Sequence, residues 1–193
     1  MPRKKEYVRQ KVVEAATHVF WDRGYAGTSV ENLVEATGLH RRSMYGEFGD
    51  KERLFLACLD HYGNETWKHL IAMLLAFPGG LKNIGMFFRD RVDYAIPDTC
   101  RGCFFVNTII EKNSVGPKAI AMVCEYLNLL DEAFFSCLVT AQASGHIPAH
   151  RNCRTLAKYL TYFFEGLMVA GKENRDRGSL DLAAQAALEA IMV

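Results

Sequence analysis

GLHRRSMYGEFGDKERLF, residues Gly38–Phe55, decides how the rest of the chain is read. It combines glycine, histidine, paired arginines, aromatic residues and a lysine in a stretch too polar to be core. A short periodic segment precedes it. Thr28–Ala36, apolar at Val30, Leu33 and Val34, predicts a helix that Thr28 or Ser29 starts, and Thr28 as its cap puts Glu31 at capping-box spacing. Thr37-Gly38 is then a turn, where glycine takes a positive φ without a Cβ clash. A second helix is predicted over Leu39–Tyr45. Two helices of about seven residues joined by a short glycine-containing turn describe a helix-turn-helix.

The segment before it supplies a wall to pack on. Val8, Val12, Ala15, Ala16, Val19 and Phe20 follow the spacing of one helix face, and Gly24 reads as its stop. Leu33, Val34, Leu39 and Met44 pack against Val19 and Phe20, which leaves His40, Arg41, Arg42, Ser43 and Tyr45 outward. Those are residue types that read base edges and grip phosphates, and a second helix of this kind enters the major groove of double-stranded DNA. Gly49-Asp50 breaks that helix, and Asp50 caps the next one. Lys51, at its first turn, joins the free amides there in holding a phosphate, and Thr28 does so from the other side.

These residues carry a resemblance. AATHVFWDRGYAGTSVENLVEATGL, followed by SMYGEFGDKERLF, resembles the tetracycline-repressor (TetR) family of bacterial transcription regulators. Phe20, Gly24, Thr28, Gly38, Tyr45, Phe48, Lys51 and Glu52 match its pattern in order and spacing over about residues 7–56. The resemblance implies phosphate contacts by Thr28, Tyr45 and Lys51 and base contacts around His40, Arg41, Arg42 and Ser43. It also implies a homodimeric repressor that leaves its operator when a small-molecule inducer binds. Arg42 departs from the small residue many members carry, and an arginine there suits the O6/N7 edge of guanine.

Composition fits this. The 193 residues are 50% hydrophobic and 23% charged, enough for a proper core. Net charge is only +1, yet the first eleven residues hold Arg3, Lys4, Lys5, Arg9 and Lys11 against Glu6, a basic arm suited to a polyanion. No long uncharged apolar run occurs and no apolar segment follows the basic start, so neither a membrane span nor a secretory leader is expected, and the setting expected is cytoplasmic.

The fold class expected is all-α, with about nine helices. Residues 1–50 form a helix-turn-helix head, and residues 51–193 a regulatory and dimerisation body. The fourth helix runs from Asp50 to about Leu75, where Phe77-Pro78-Gly79-Gly80 ends it. Further helices are expected over about 81–95, 103–113, 117–144, 150–172 and 179–191. Leu156, Tyr159, Leu160, Phe163, Phe164 and Leu167 make one apolar stripe, and Leu180, Ala184, Ala187, Leu188 and Ile191 another. Two such helices from each subunit make a four-helix dimer interface, and the same residues also serve as intramolecular core. The body is rich in aromatics, as pockets for organic ligands are. Trp67, Phe88, Phe104, Tyr126 and Phe163, with Asn107 and Glu111 as polar partners, are the candidate lining.

Six cysteines lie at 58, 100, 103, 124, 137 and 153, most inside apolar helical patterns, as small buried hydrophobes do. Cys100 and Cys103 stand apart, in C-x-x-C spacing beside Arg101 near a helix start. They allow a thiol-based redox or electrophile sensor as an alternative function. A thiol oxidoreductase is a further alternative, against which stands the lack of a βαβ context. No second C-x-x-C completes four ligands, so no metal is expected, and no cofactor.

Overall fold

The computed structural model describes residues 2–173 and 175–192. The side chains of residues 2–8, which include Arg3, Lys4 and Lys5 of the basic arm, lie outside the described residues. Among the described residues there is helix and no strand. The helices are α1 (Pro2–Gly27), α2 (Val30–Thr37), α3 (Arg41–Phe48), α4 (Lys51–Tyr62), α5 (Lys68–Leu75), α6 (Leu81–Ala95), α7 (Phe104–Ile110), α8 (Pro117–Ala143), α9 (Cys153–Glu173) and α10 (Arg177–Met192). The expected fourth helix is one helical run from residue 51 to residue 75, but a π-helical turn, Gly63–Trp67, divides it into α4 and α5.

The chain divides into two compact units. One comprises Met1–Thr66 with Asn107–Cys124, and the other Trp67–Val106 with Glu125–Val193. The helices α7 and α8 therefore each begin in one unit and end in the other.

In the first unit α1 packs on α2 and α4, and α3 closes against α2 and α4. The core is Val12, Val13, Ala16, Phe20, Leu33, Met44, Phe48, Leu54, Phe55, Cys58 and Leu59. Phe20 meets Phe55 edge-on at 5.0 Å between ring centroids and lies near-parallel to Tyr25. Burial of such side chains, each contributing about 1.5–3 kcal/mol, assembles three short helices that are marginal alone. The inward face of α1 turns on Val12, Val13, Ala16 and Phe20, while Ala15 and Val19 are half-buried.

In the second unit α6 is the centre, packed against α5, α9 and α10. An aromatic core runs through it. Phe87, Phe88, Phe134 and Phe164 make mutual contacts at 5.1–5.7 Å, and Trp67 reaches Phe105 at 4.9 Å and Phe164 at 5.7 Å. Asn83 is buried on α6, and its amide donates to the carbonyls of Met73, Leu74 and Ala76. It thereby satisfies groups that the end of α5 leaves without intrahelical partners. Asp131 is also buried, accepting from the Thr161 hydroxyl at 3.2 Å with the Lys158 ammonium 3.5 Å away. No described helix is long and apolar enough to cross a membrane.

Candidate nucleic-acid interface

Backbone chemistry at two glycines shapes the head. Gly24 has φ 72 and ψ 172, which interrupts α1 and turns the chain toward α2. Gly38 is left-handed at φ 67, and its amide closes the end of α2 on the Val34 carbonyl. The cap of α2 is Ser29 rather than Thr28. The Ser29 hydroxyl accepts from Asn32 N at 3.1 Å, and the Asn32 side chain accepts from Ser29 N at 3.0 Å. Thr28 is instead buried, with its hydroxyl donating to the Gly24 carbonyl at 2.6 Å. The second helix of the pair begins two residues later than its spacing predicts. Leu39 and His40 stay outside the helix; Leu39 N donates to the Thr37 hydroxyl, and His40 is the N-cap residue with an extended backbone.

The consequence is a short helix with two unlike faces. Met44 and Phe48 are buried against the head, while His40, Arg41, Arg42 and Ser43 are exposed. Tyr45 is half-buried beside them. Arg41 is steadied by Glu31 at 3.4 Å and lies 5.7 Å from the Tyr45 ring centroid. That ion pair is open to water and worth little, so Arg41 is easily redirected. Arg9 flanks the same helix, 3.6 Å from Glu47 and 5.1 Å above the Phe48 ring.

The start of α4 is as the sequence predicts. Asp50 caps it, its carboxylate accepting from Arg53 N at 2.7 Å. Lys51 is turned toward the α1–α2 turn. Its ammonium donates to the Tyr25 carbonyl at 2.6 Å and lies 4.3 Å from the Tyr25 ring centroid. Partial burial pulls its pKa down, and the charge of Glu111 pulls it back up. An ammonium has three donors, so the Tyr25 bond leaves capacity for a phosphate.

The expected ligand-lining residues are divided by the fold. Trp67, Phe88 and Phe104 are buried in the second unit, where the Trp67 indole N–H donates to the Tyr126 carbonyl at 2.9 Å. Tyr126 stacks on Phe105 at 4.7 Å, and Phe163 meets Phe88 edge-on at 5.1 Å. Asn107 and Glu111 belong to the first unit, and the Glu111 carboxylate accepts from Ala26 N at 3.1 Å. A cleft the sequence reading missed lies between α1 and the α4 end. It is about 400 Å³, lined in part by Glu14, His18, Trp21, His61, Tyr62 and Glu65. It draws on α1, α4 and the π turn, and Glu14, His18 and Glu65 read in the sequence as plain solvent-facing residues.

Cys100 and Cys103 are both free thiols, Cys103 buried and Cys100 partly so. Tyr94 stands near both; burial, then the charge that either thiol would carry, pushes its hydroxyl up to about 12. Cys58, Cys137 and Cys153 are buried as expected, whereas Cys124 is exposed. Among the described residues no group of three or more His, Cys, Asp or Glu is placed to hold a metal ion.

Two family models match this chain. Bacterial regulatory proteins of the tetR family match over residues 12–58, and the tetracyclin repressor-like C-terminal domain matches over residues 80–187. The chain belongs to the TetR family. The TetR match thus spans the head and more than half of the chain. The HTH-type transcriptional repressor ComR of Escherichia coli K12 is 30% identical over 176 residues, covering 89% of this chain and 82% of ComR. A TetR transcriptional regulator from Chloroflexus aurantiacus superposes with a TM-score of 0.86 at 26% identity, covering 98% and 96% of the two chains. A cysteine mutant of the TetR regulator CifR, complexed with 26-bp double-strand operator DNA, superposes with a TM-score of 0.81 at 26% identity, covering 94% and 95%. A TetR chain with this head is a DNA-binding transcriptional regulator.

Proposed function

We propose that the protein is a homodimeric repressor, acting in the cytoplasm, that lays α3 of each head in successive major grooves of its operator and leaves on binding a small molecule. The observation that carries this is the division of α3, with Met44 and Phe48 held in the core and His40, Arg41, Arg42 and Ser43 presented together. Arg42 reads guanine bidentately, and Arg41, His40 and Ser43 contact neighbouring base edges or sugar-phosphate. Lys51 and Tyr45 hold phosphates. Thr28 contributes through the geometry of its turn, since its hydroxyl donates to the Gly24 carbonyl and its amide to the Tyr25 carbonyl.

The dimer forms through α9 and α10. Leu156, Leu160, Phe164 and Leu167, with Leu180, Ala184, Ala187 and Ile191, are buried within the chain itself. The partner therefore meets the outward face, where Tyr159, Tyr162 and Val169 are exposed on α9 and Leu182 on α10. The inducer enters the aromatic unit around Trp67, Phe88, Phe104, Tyr126 and Phe163. Phe88 packs on Phe163, and Trp67 and Tyr126 both pack on Phe105, so a ligand is admitted by parting these rings.

Fluorescence anisotropy with the DNA just upstream of the protein's own coding region tests the DNA reading. Arg42→Ala is expected to relax specificity, and Lys51→Ala to weaken all sequences alike with a shallower salt dependence. Unchanged affinity in both variants would sink it. A second reading, thiol sensing by Cys100 and Cys103, rests on their C-x-x-C spacing and on both being free thiols. It predicts that binding is lost on mild oxidation and restored by reductant.

A further inference from the structure

The turn between α1 and α2 is built around a carboxylate from elsewhere in the chain. Glu111 follows the end of α7, and its own amide donates to the Asn107 carbonyl while its carbonyl accepts from Ser114 N at 2.8 Å. Its backbone is thus fixed, and its side chain reaches the Tyr25-Ala26 segment, where Ala26 N donates to Oε2. A Cβ at position 24 would lie 2.0 Å from Oε1, so only glycine admits the carboxylate there. A second contact repeats the pattern in the opposite sense. Glu52, next to Lys51, fills a hollow over Gly116, where a Cβ would lie 2.1 Å from Oε1. Residues 107–116 thereby grip the chain just before the helix-turn-helix and just after it.

We propose that Glu111 is a positioning residue for operator binding. Its carboxylate holds the Tyr25-Ala26 turn so that the Tyr25 carbonyl and ring present Lys51 to a backbone phosphate. Lys51 is bonded to Tyr25 O at 2.6 Å, so any shift of that turn moves the ammonium with it. Glu111 touches no DNA in this arrangement, and acts through Tyr25, Ala26 and Lys51. The proposal rests on the DNA-binding reading above.

Two measurements on the full-length protein test it. In the free protein, Glu111→Ala is expected to speed hydrogen exchange in peptides covering residues 24–28 and 49–53 without changing those of α6 and α10. Glu111→Gln, which keeps an acceptor for Ala26 N, restores slow exchange. On the operator, Glu111→Ala is expected to weaken specific binding roughly tenfold, as loss of one charge-assisted hydrogen bond does. Glu111→Gln is expected to stay within about twofold of wild type. The loss is expected to vanish in a Lys51→Ala background, because the two act in series. Unchanged exchange in Glu111→Ala would overturn the clasp whatever the DNA does. Faster exchange with unchanged operator affinity, or a loss that persists fully without Lys51, would overturn the positioning role. If wild type itself shows no specific binding, the DNA-binding reading is what fails, and the positioning role falls with it.

Discussion

Gly24 was legible as a helix stop, because glycine after a periodic apolar run commonly takes the left-handed conformation. Its second duty, leaving room for Glu111 eighty-seven residues later in the chain, was not legible, since nothing local signals that approach. Gly24→Ala therefore meets both obstacles. It is expected to destabilise the protein by about 1–3 kcal/mol from its φ 72, ψ 172 backbone alone, read as a lower denaturation midpoint. Thr28 and Ser29 illustrate the limit from the other side. Both caps fit a three-residue spacing, Thr28 to Glu31 and Ser29 to Asn32. Burial of Thr28 beneath the Gly24 carbonyl, a tertiary fact, decides between them. Cys58 adds a pH dependence. Burial raises its thiol from 9.0 to about 12, and Cys137 rises to about 11 for the same reason. The unfolded chain releases these protons first, so the stability they contribute is complete below about pH 9 and is lost as pH climbs toward 12. Urea midpoints at about pH 7 and about pH 10 are expected to fall in that order, and Cys58→Ala is expected to flatten the slope.

At the scale of elements, periodicity located nearly every helix. Residues 81–95 were predicted and α6 spans Leu81–Ala95, because its buried positions recur at helical spacing between a Gly-Gly start and a Pro97 stop. The π turn at Gly63–Trp67 was not legible, since a five-residue register change leaves apolar spacing almost intact. The start of α3 shifted to Arg41 because Thr37 and Gly38 close α2 with their own hydrogen bonds and leave Leu39 outside the helix and His40 extended. The reading helix depends on α2 for its support. Ser29→Ala removes the cap and is expected to cost about 1 kcal/mol, seen in chemical denaturation. Operator affinity is expected to fall with it, since α2 and α3 pack as a pair.

For the whole molecule, the apolar stripes of α9 and α10 were legible as helix faces that could serve as interface, as intramolecular core or as both. The sequence cannot say whether an apolar face meets the same chain or a second copy. The structure spends most of both stripes on α6 and on each other. What remains outward is the opposite face of each helix, with Tyr162, 62% exposed, and Leu182, 68% exposed. Tyr162→Glu sits one turn from Lys158, which tolerates the new charge within the helix. It is expected to convert dimer to monomer in sedimentation velocity and to lower operator affinity at least about tenfold, as a single half-site offers too few contacts. The same scale hid the candidate pocket. Aromatic content marked out a ring-rich body, the rings are packed as core, and the Glu111 carboxylate accepts from Ala26 N in the first unit.

Reading of sequence by α3 in the major groove is tested by incubating the protein with fragmented genomic DNA, recovering the bound fragments and sequencing them, in parallel with Arg42→Ala. The expected result is enrichment of an inverted repeat whose half-sites lie about one helical turn apart, with a guanine in each half-site that the variant no longer selects. Enrichment of no shared sequence, or of the same sequence equally well by Arg42→Ala, would contradict it.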